Sequence, residues 1–192
     1  LAGSYLSEFG DGRIGSAVRL AADILSGVPS VVIGIFVYVL IVRPMGTFSA
    51  VAGAVALAII MLPVIARTTE EMMRLVPTTY REAALALGIP RWRVTLSVVI
   101  PGALVGIATG GMLAVARIAG ETAPLIFTAL GNRFGFAGLD QPIAAMPLQI
   151  WRYAVSAYDT WHRQAWAAAF LLVMLVLLIN VLVRWVTARR YS

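Results

Sequence analysis

Apolar positions in this chain are gathered into long runs separated by short polar segments, and the runs have the length of membrane-crossing helices rather than of globular core elements. The first 27 residues are an exception. There Glu8, Asp11, Arg13, Arg19 and Asp23 alternate with Leu6, Phe9, Ile14, Val18, Ala21 and Leu25 near helical spacing, which predicts a lead-in helix over 1–27 lying at the cytoplasmic interface. An uncharged run from Val28 to Val42 follows, short for a hydrocarbon core of ~30 Å at ~1.5 Å per residue. Arg43-Pro44-Met45-Gly46 reads as a tight turn, and a second run covers 49–66 with Pro63 placed to kink its end. After Arg67 the chain turns polar. Thr68-Thr69-Glu70-Glu71 has the look of a helix start, Pro77 ends that helix, and Thr78 and Thr79 are candidate caps for a further helix that Gly88 and Pro90 stop.

The longest apolar run is 94–119, interrupted only by Pro101 and Arg117. Residues 120–164 are mixed, Gly-rich around Gly131, Gly135 and Gly138, with Leu148, Trp151, Val155 and Tyr158 spaced as an interfacial helix. The run 165–186 is the clearest span, bracketed by Trp161, Trp166 and Trp185 as interface anchors, with Asn180 its polar interior residue. The expected organisation is an all-α membrane domain over 28–192 with spans at about 28–42, 49–66, 94–119 and 165–186, a polar segment at 67–93 and a mixed one at 120–164.

Composition narrows the function. Hydrophobic residues make up 60% of the chain and charged ones 12%, with mean hydropathy +0.89, too little polar surface for a soluble domain of 192 residues. No Cys is present, so disulfides and thiolate metal sites are excluded, and the single His162 builds no His-based metal site. All fifteen basic residues are Arg, so a phosphate-binding Walker A loop, which needs Lys, is impossible, and any ATP chemistry belongs to another chain. The chain is therefore expected to be no enzyme and to hold no cofactor of its own. The net charge of +6 is scattered between apolar spans instead of forming one stripe, which argues against nucleic acid. It reads as topology. Arg67, Arg74, Arg81, Arg91 and Arg93 lie in one segment and Arg184, Arg189 and Arg190 in the tail, whereas the alternate segments hold Arg43, Arg133, Arg152 and Arg163; both ends of the chain, including its C-terminus, are thus expected on the cytoplasmic side.

Within 67–93, Arg81-Glu82-Ala83-Ala84-Leu85-Ala86-Leu87-Gly88-Ile89-Pro90 has some likeness to the start of a helix-turn-helix, but a DNA reader needs a soluble core and apolar spans begin too close on either side. An ordinary loop helix explains the Arg residues but not the spacing Glu-Ala-Ala, three residues, Gly, nine residues, Val-x-Ile-Pro. That spacing resembles the EAA signature of binding-protein-dependent ABC import permeases, with Val98 and Ile100 as conservative replacements. The resemblance implies a type I importer permease fold of the MetI-like kind. It also implies a coupling helix in which Arg81, Glu82, Ala83, Ala84 and Gly88 dock an ATPase, the two alanines seating in its groove and Glu82 meeting a charged partner.

A second constellation runs from Ala116 to Leu125. Arg117 and Glu121 are four residues apart, so on a continuous helix they share a face and can pair. A lone Arg at the bilayer centre costs about 2.5–3.5 kcal/mol on insertion scales and so faces a cavity or a partner. A water-facing guanidinium suits a crossing oxyanion; a structural ion pair near the outer interface is the alternative. Arg-x-x-Gly-Glu-Thr-Ala-Pro-Leu, with Gly27-Val-Pro-Ser-Val-Val-Ile-Gly34 and the opening Tyr5-Leu-Ser-Glu-Phe-Gly10, resembles PstA-type permeases of phosphate-specific transport over nearly the whole chain.

What the resemblance implies is a non-catalytic permease half of a phosphate importer in a prokaryotic plasma (inner) membrane. Arg117, Glu121 and Thr122 would line the pathway for inorganic phosphate. The implied partners are a PstC-type sister permease, a PstB-type ATPase dimer holding ATP and Mg, and a PstS-type phosphate-binding protein. Such permeases have six spans, so the four here are expected to be the third to sixth, in keeping with a start at Leu1 rather than Met. A permease for sulfate or molybdate, or a membrane scaffold that only recruits an ATPase, are the other readings. Gly102, Gly106, Gly110 and Ala114 form a small-residue stripe expected to serve helix packing, including a possible sister-permease interface, and Asn180 is expected to bond between helices.

Overall fold

Water is absent from a bilayer core, so every backbone group there must be bonded within the protein, and helices meet that demand segment by segment. In the computed structural model, which describes residues 2–10, 12–132 and 135–189, the described residues are mostly helical. The helices are α1 (Ala2–Phe9), α2 (Arg13–Gly27), α3 (Ser30–Met45), α4 (Ala50–Arg74), α5 (Thr78–Ala86), α6 (Arg91–Ala119), α7 (Ala123–Thr128), α8 (Met146–Ala154) and α9 (Asp159–Arg189). Of the residues used above, Asp11, Arg133 and Arg190 lie outside the described ones, as do the side chains of Phe9 and Arg189. Among the described residues, α4, α6 and Asp159–Val186 of α9 are long and apolar enough to cross a membrane. α3 qualifies only when taken together with α2, across the break before Pro29.

Two compact units divide the chain. The first takes Leu1–Gly27, Leu62–Ala114 and Val183–Ser192. Its core is Met73, Ala84, Val94, Val99 and Ala103, so the polar segment is packed against the N-terminal end of α6. Instead of one lead-in helix, α1 and α2 are separated around Gly10, where the Arg19 guanidinium donates to Leu6 O and Gly10 O at 2.9 Å each and satisfies carbonyls freed by the end of α1. Thr68 starts no new helix. Its Oγ1 donates back to Val64 O at 2.8 Å, and α4 runs unbroken to Arg74, passing through the buried Pro63. Helix α5 begins after Pro77 with no side-chain cap, so Thr78 and Thr79 sit inside its first turn.

The small-residue stripe of α6 packs within this unit. Gly102, Gly106 and Gly110 lie against Val76, Met72 and Thr68, an antiparallel match of four-residue steps on the two helices. The stripe is thus a packing surface, met by the last turns of α4 at Thr68 and Met72 and by Val76 just beyond that helix.

The second unit takes Val28–Met61 and Val115–Leu182. Val37, Val42, Ala52 and Ala56 form one core patch and Leu125, Ala129 and Leu148 another. The start of α4 shows why it lies where it does. Ala50 N–H donates to Gln141 O at 3.0 Å, Val51 N–H to Leu139 O at 3.1 Å and Ala52 N–H to the buried Ser49 Oγ at 3.1 Å, so its first-turn donors are satisfied without water.

Arg43-Pro44-Met45 is the last turn of α3, not a loop; Gly46 at φ +69 ends it. Proline is tolerated because a π turn precedes it. Arg43 N–H reaches back to Tyr38 O, and in the first unit Ile100 N–H reaches Thr95 O directly before Pro101. The wider turn moves the backbone off the proline ring that would otherwise strike it. In α9, Asn180 Nδ2 donates to Val176 O of its own helix at 2.9 Å rather than to a neighbouring helix. The most apolar window of α9 is 0% buried, which leaves that helix for lipid or another chain.

Candidate functional site

The first candidate site is the polar segment of the first unit. Helix α5 ends in a Schellman motif: Ile89 N–H bonds Ala84 O at 3.3 Å, Gly88 N–H bonds Leu85 O at 2.9 Å, and Gly88 takes φ +79, open to glycine at little cost. This fixes which face looks where. Arg81 and Ala84 turn inward, Ala84 into the core with Met73 and Val94, while Glu82, Ala83 and Gly88 are exposed. Leu85, Leu87, Tyr80 and Leu75 are exposed beside them, an apolar rim around one carboxylate. Of the two alanines in the motif, Ala83 alone is therefore presented to a partner.

Arg81 is held from beneath. It pairs with Glu8 of α1, and its Nη2 donates to Met73 O at 2.6 Å. One helix turn before the break, Glu70 is 2% exposed and receives Arg19 Nε at 2.7 Å and Arg74 Nη2 at 2.8 Å, with Arg67 Nη1 at 3.8 Å from its other oxygen. Arg67 in turn holds Asp23, its Nε donating to Oδ1 at 3.1 Å. The guanidinium partners of Glu70 offset the cost of taking so deeply buried a carboxylate out of water. The sequence pattern places Glu8 and Asp23 in the lead-in helix and Glu70 in a helix start, and assigns none of the three to a site. A signal for Glu70 exists, since Arg67 and Arg74 stand three before and four after it on one helical face.

The second candidate site lies in the second unit. Helix α6 stops at Ala119, and Glu121 N–H closes the turn onto Ile118 O at 3.0 Å. That turn takes Glu121 off the helical face, so Arg117 and Glu121 form no ion pair. Arg117 is exposed and, among the described residues, has no carboxylate within 4.0 Å. Thr122 is half-buried, its Oγ1 donating weakly to Gly120 O at 3.4 Å. Directly after it α7 begins with Pro124 buried on α3: a Cβ on Gly34 would stand 2.7 Å from Pro124 Cα. The two sequence stretches Gly27–Gly34 and Arg117–Leu125 thus meet backbone to backbone. Among the described residues no group of three His, Asp or Glu side chains is arranged to hold a metal.

Comparison with known proteins bears on both sites. The family described as binding-protein-dependent transport system inner membrane component matches residues 1–190. The phosphate transport system permease protein PstA of Yersinia pestis is 45% identical over 191 residues, 99% of this chain and 65% of the relative. PstA of Xylella fastidiosa (strain 9a5c) is 48% identical over 181 residues, 93% of this chain and 63% of the relative. The probable PstA of Methanocaldococcus jannaschii is 41% identical over 186 residues, 96% of this chain and 66% of the relative. The chain thus spans slightly less than two thirds of these relatives' lengths. Among solved structures, an inward-facing MetNI methionine ABC transporter superposes with a TM-score of 0.79 at 21% identity, over 98% of this chain and 83% of that one. At that identity the likeness concerns the fold, which is the MetI-like permease fold anticipated from the motif.

Proposed function

This chain belongs to the family of inner membrane components of binding-protein-dependent transport systems, and from that premise we propose that it forms one side of the translocation pathway of an ATP-driven phosphate importer. The chain itself is non-catalytic. Its partners are a PstC-type sister permease, a PstB-type ATPase dimer that binds ATP and Mg, and a PstS-type protein that delivers phosphate from outside. The ATPase docks on the exposed face of α5, where Glu82 stands between Ala83 and the apolar rim of Leu85 and Leu87. Both ends of the chain lie on the cytoplasmic side, as the Arg distribution requires.

The observation that carries the reading is Arg117. A guanidinium that pairs with no carboxylate among the described residues, near the end of a helix long and apolar enough to cross a membrane, is available to an oxyanion, and its planar fork matches phosphate oxygens. Glu121 and Thr122, in the turn that follows, flank the same approach. The relatives named above, PstA proteins of phosphate transport systems, support phosphate as the cargo. The test is uptake of labelled phosphate by the complete transporter carrying Arg117→Ala, with ATPase stimulation measured for phosphate, sulfate and molybdate. Loss of uptake with the ATPase still attached is expected. Unchanged uptake removes the pathway role of Arg117, and stimulation by sulfate or molybdate but not phosphate overturns the cargo.

A further inference from the structure

A coupling helix transmits force only if its connection to the membrane helix does not bend, and here that connection is a break. Helix α4 ends at Arg74, Leu75 and Val76 lead to Pro77, and α5 starts at Thr78. Leu75 N–H still bonds Glu71 O at 3.2 Å and Val76 N–H bonds Met73 O at 3.3 Å, but Pro77 has no N–H to carry the ladder on. The stretch that leads through Pro77 to Thr78 is a natural hinge, and a load applied at Glu82 would be lost by flexing there.

The lead-in helices α1 and α2 are fastened on both sides of this break. On the α4 side, Arg19 reaches Glu70, Asp23 holds Arg67, and Gly3 lies so close that a Cβ there would stand 2.6 Å from Thr69 Cβ and 2.7 Å from Ala66 O. On the α5 side, Glu8 holds Arg81. Leu6, between the two sets of contacts, is fully buried. Arg19 also bonds the end of α1, so α1 and α2 act as one strut. All of these residues belong to the first unit.

We infer that α1 and α2 brace the Leu75–Pro77 hinge, making α4 and the coupling helix one lever, with Glu8 and Glu70 as its positioning residues. This rests on the reading of α5 as the ATPase-docking helix. It assigns Arg81 a role different from the rest of that helix: Arg81 faces the strut and not the ATPase. The bond is partly buried, the side chains of Arg81 and Glu8 being 19% and 14% exposed, so solvent screens it little.

The experiment uses the complete transporter and a permease that lacks natural cysteines over this chain, which makes paired labelling clean. Glu8→Gln is expected to lower phosphate moved per ATP hydrolysed by about tenfold, the loss of roughly one charge-assisted hydrogen bond, with the ATPase still co-purifying. Glu8→Arg combined with Arg81→Glu is expected to restore coupling. If Arg81 instead contacts the ATPase, Glu8→Gln leaves coupling unchanged and the swap does not rescue, and the inference falls. Spin labels at Ala17→Cys on α2 and Thr79→Cys on α5 give a second readout. Their separation is expected to stay constant on adding ATP and to broaden with Glu8→Gln; a separation that changes with ATP in the otherwise unaltered protein overturns the brace. Should no ATPase bind α5 even with Glu8 and Arg81 intact, the docking reading fails, and the label distances still decide whether α1, α2 and α5 form one body.

Discussion

The packing of α6 on α4 makes a graded prediction, because three glycines of one stripe face three different neighbours. A Cβ at Gly102 would meet Val76 no closer than 3.5 Å, an ordinary contact. One at Gly106 would strike the end of Met72, which is flexible and can swing away, although Met72 Cβ remains at 3.1 Å. One at Gly110 would strike Thr68, with its Cβ at 2.8 Å; Thr68 is stiff at χ1 and its hydroxyl is tied to Val64 O at 2.8 Å. Gly→Ala gains about 0.5–1 kcal/mol of helix propensity at each position, and overpacking a close contact costs about 1–3 kcal/mol.

The sum is near neutral or favourable at Gly102, close to zero at Gly106 and a loss of about 1–2 kcal/mol at Gly110. For a chain of this size that loss lowers the melting temperature by roughly 2–8 °C. Gly111→Ala, where nothing lies within 4 Å, is the control next door. Thermal unfolding of the four variants in nanodiscs is the assay, with Thr68→Ala added to Gly110→Ala expected to recover at least ~0.5 kcal/mol of the loss. Equal melting of Gly110→Ala and Gly102→Ala would refute the packing register, and with it the four-residue match of the two helices.

Two further outcomes follow from single backbone positions. Gly34→Ala places a Cβ against the backbone of Pro124, which has no flexible end to yield, so the second unit is expected to lose about 1–3 kcal/mol, read as a lower melting temperature with intact membrane insertion. Gly88→Ala forces an L-residue into φ +79 at a cost of about 1–2 kcal/mol and frays the last turn of α5; pull-down of the ATPase is expected to weaken, and binding equal to that of the unaltered protein would count against the Schellman end as a docking determinant.

Helix α5 was legible because its punctuation is local. Gly88 and Pro90 stop it in the sequence as they do in space, and the hydropathy drop after Arg67 marks its surroundings. What escaped was long-range. Glu70 and Arg19 are 51 residues apart and Glu8 and Arg81 are 73 apart, and no spacing rule connects them. Two expectations failed, and one of two open readings of Arg117 was not met, for one physical reason, that the same residue types serve two geometries. Thr68 caps a helix or bonds back into one; Pro44 breaks a helix or follows a π turn; Arg117 and Glu121 share a face only while the helix lasts. In each case a neighbouring hydrogen bond made the choice, to Val64 O, Tyr38 O and Ile118 O respectively.

The resemblance to PstA-type permeases rested on three stretches far apart in sequence, and the structure gives two of them, Gly27–Gly34 and Arg117–Leu125, a common cause. Gly34 lies on Pro124 with no room for a side chain, so one demand for close approach places a glycine in the first stretch and constrains the helix start that follows in the second. Those residues therefore report the packing of α3 on α7 and carry no information about cargo. Under the proposed function, discrimination between oxyanions would fall to the residues just before Pro124: the exposed Arg117, with Glu121 and Thr122 in the turn. If Arg117 has the pathway role proposed for it, a chain that kept Gly34 and Pro124 but replaced Arg117 would keep this fold and lose phosphate uptake, which is why uptake by the Arg117→Ala transporter separates family membership from cargo.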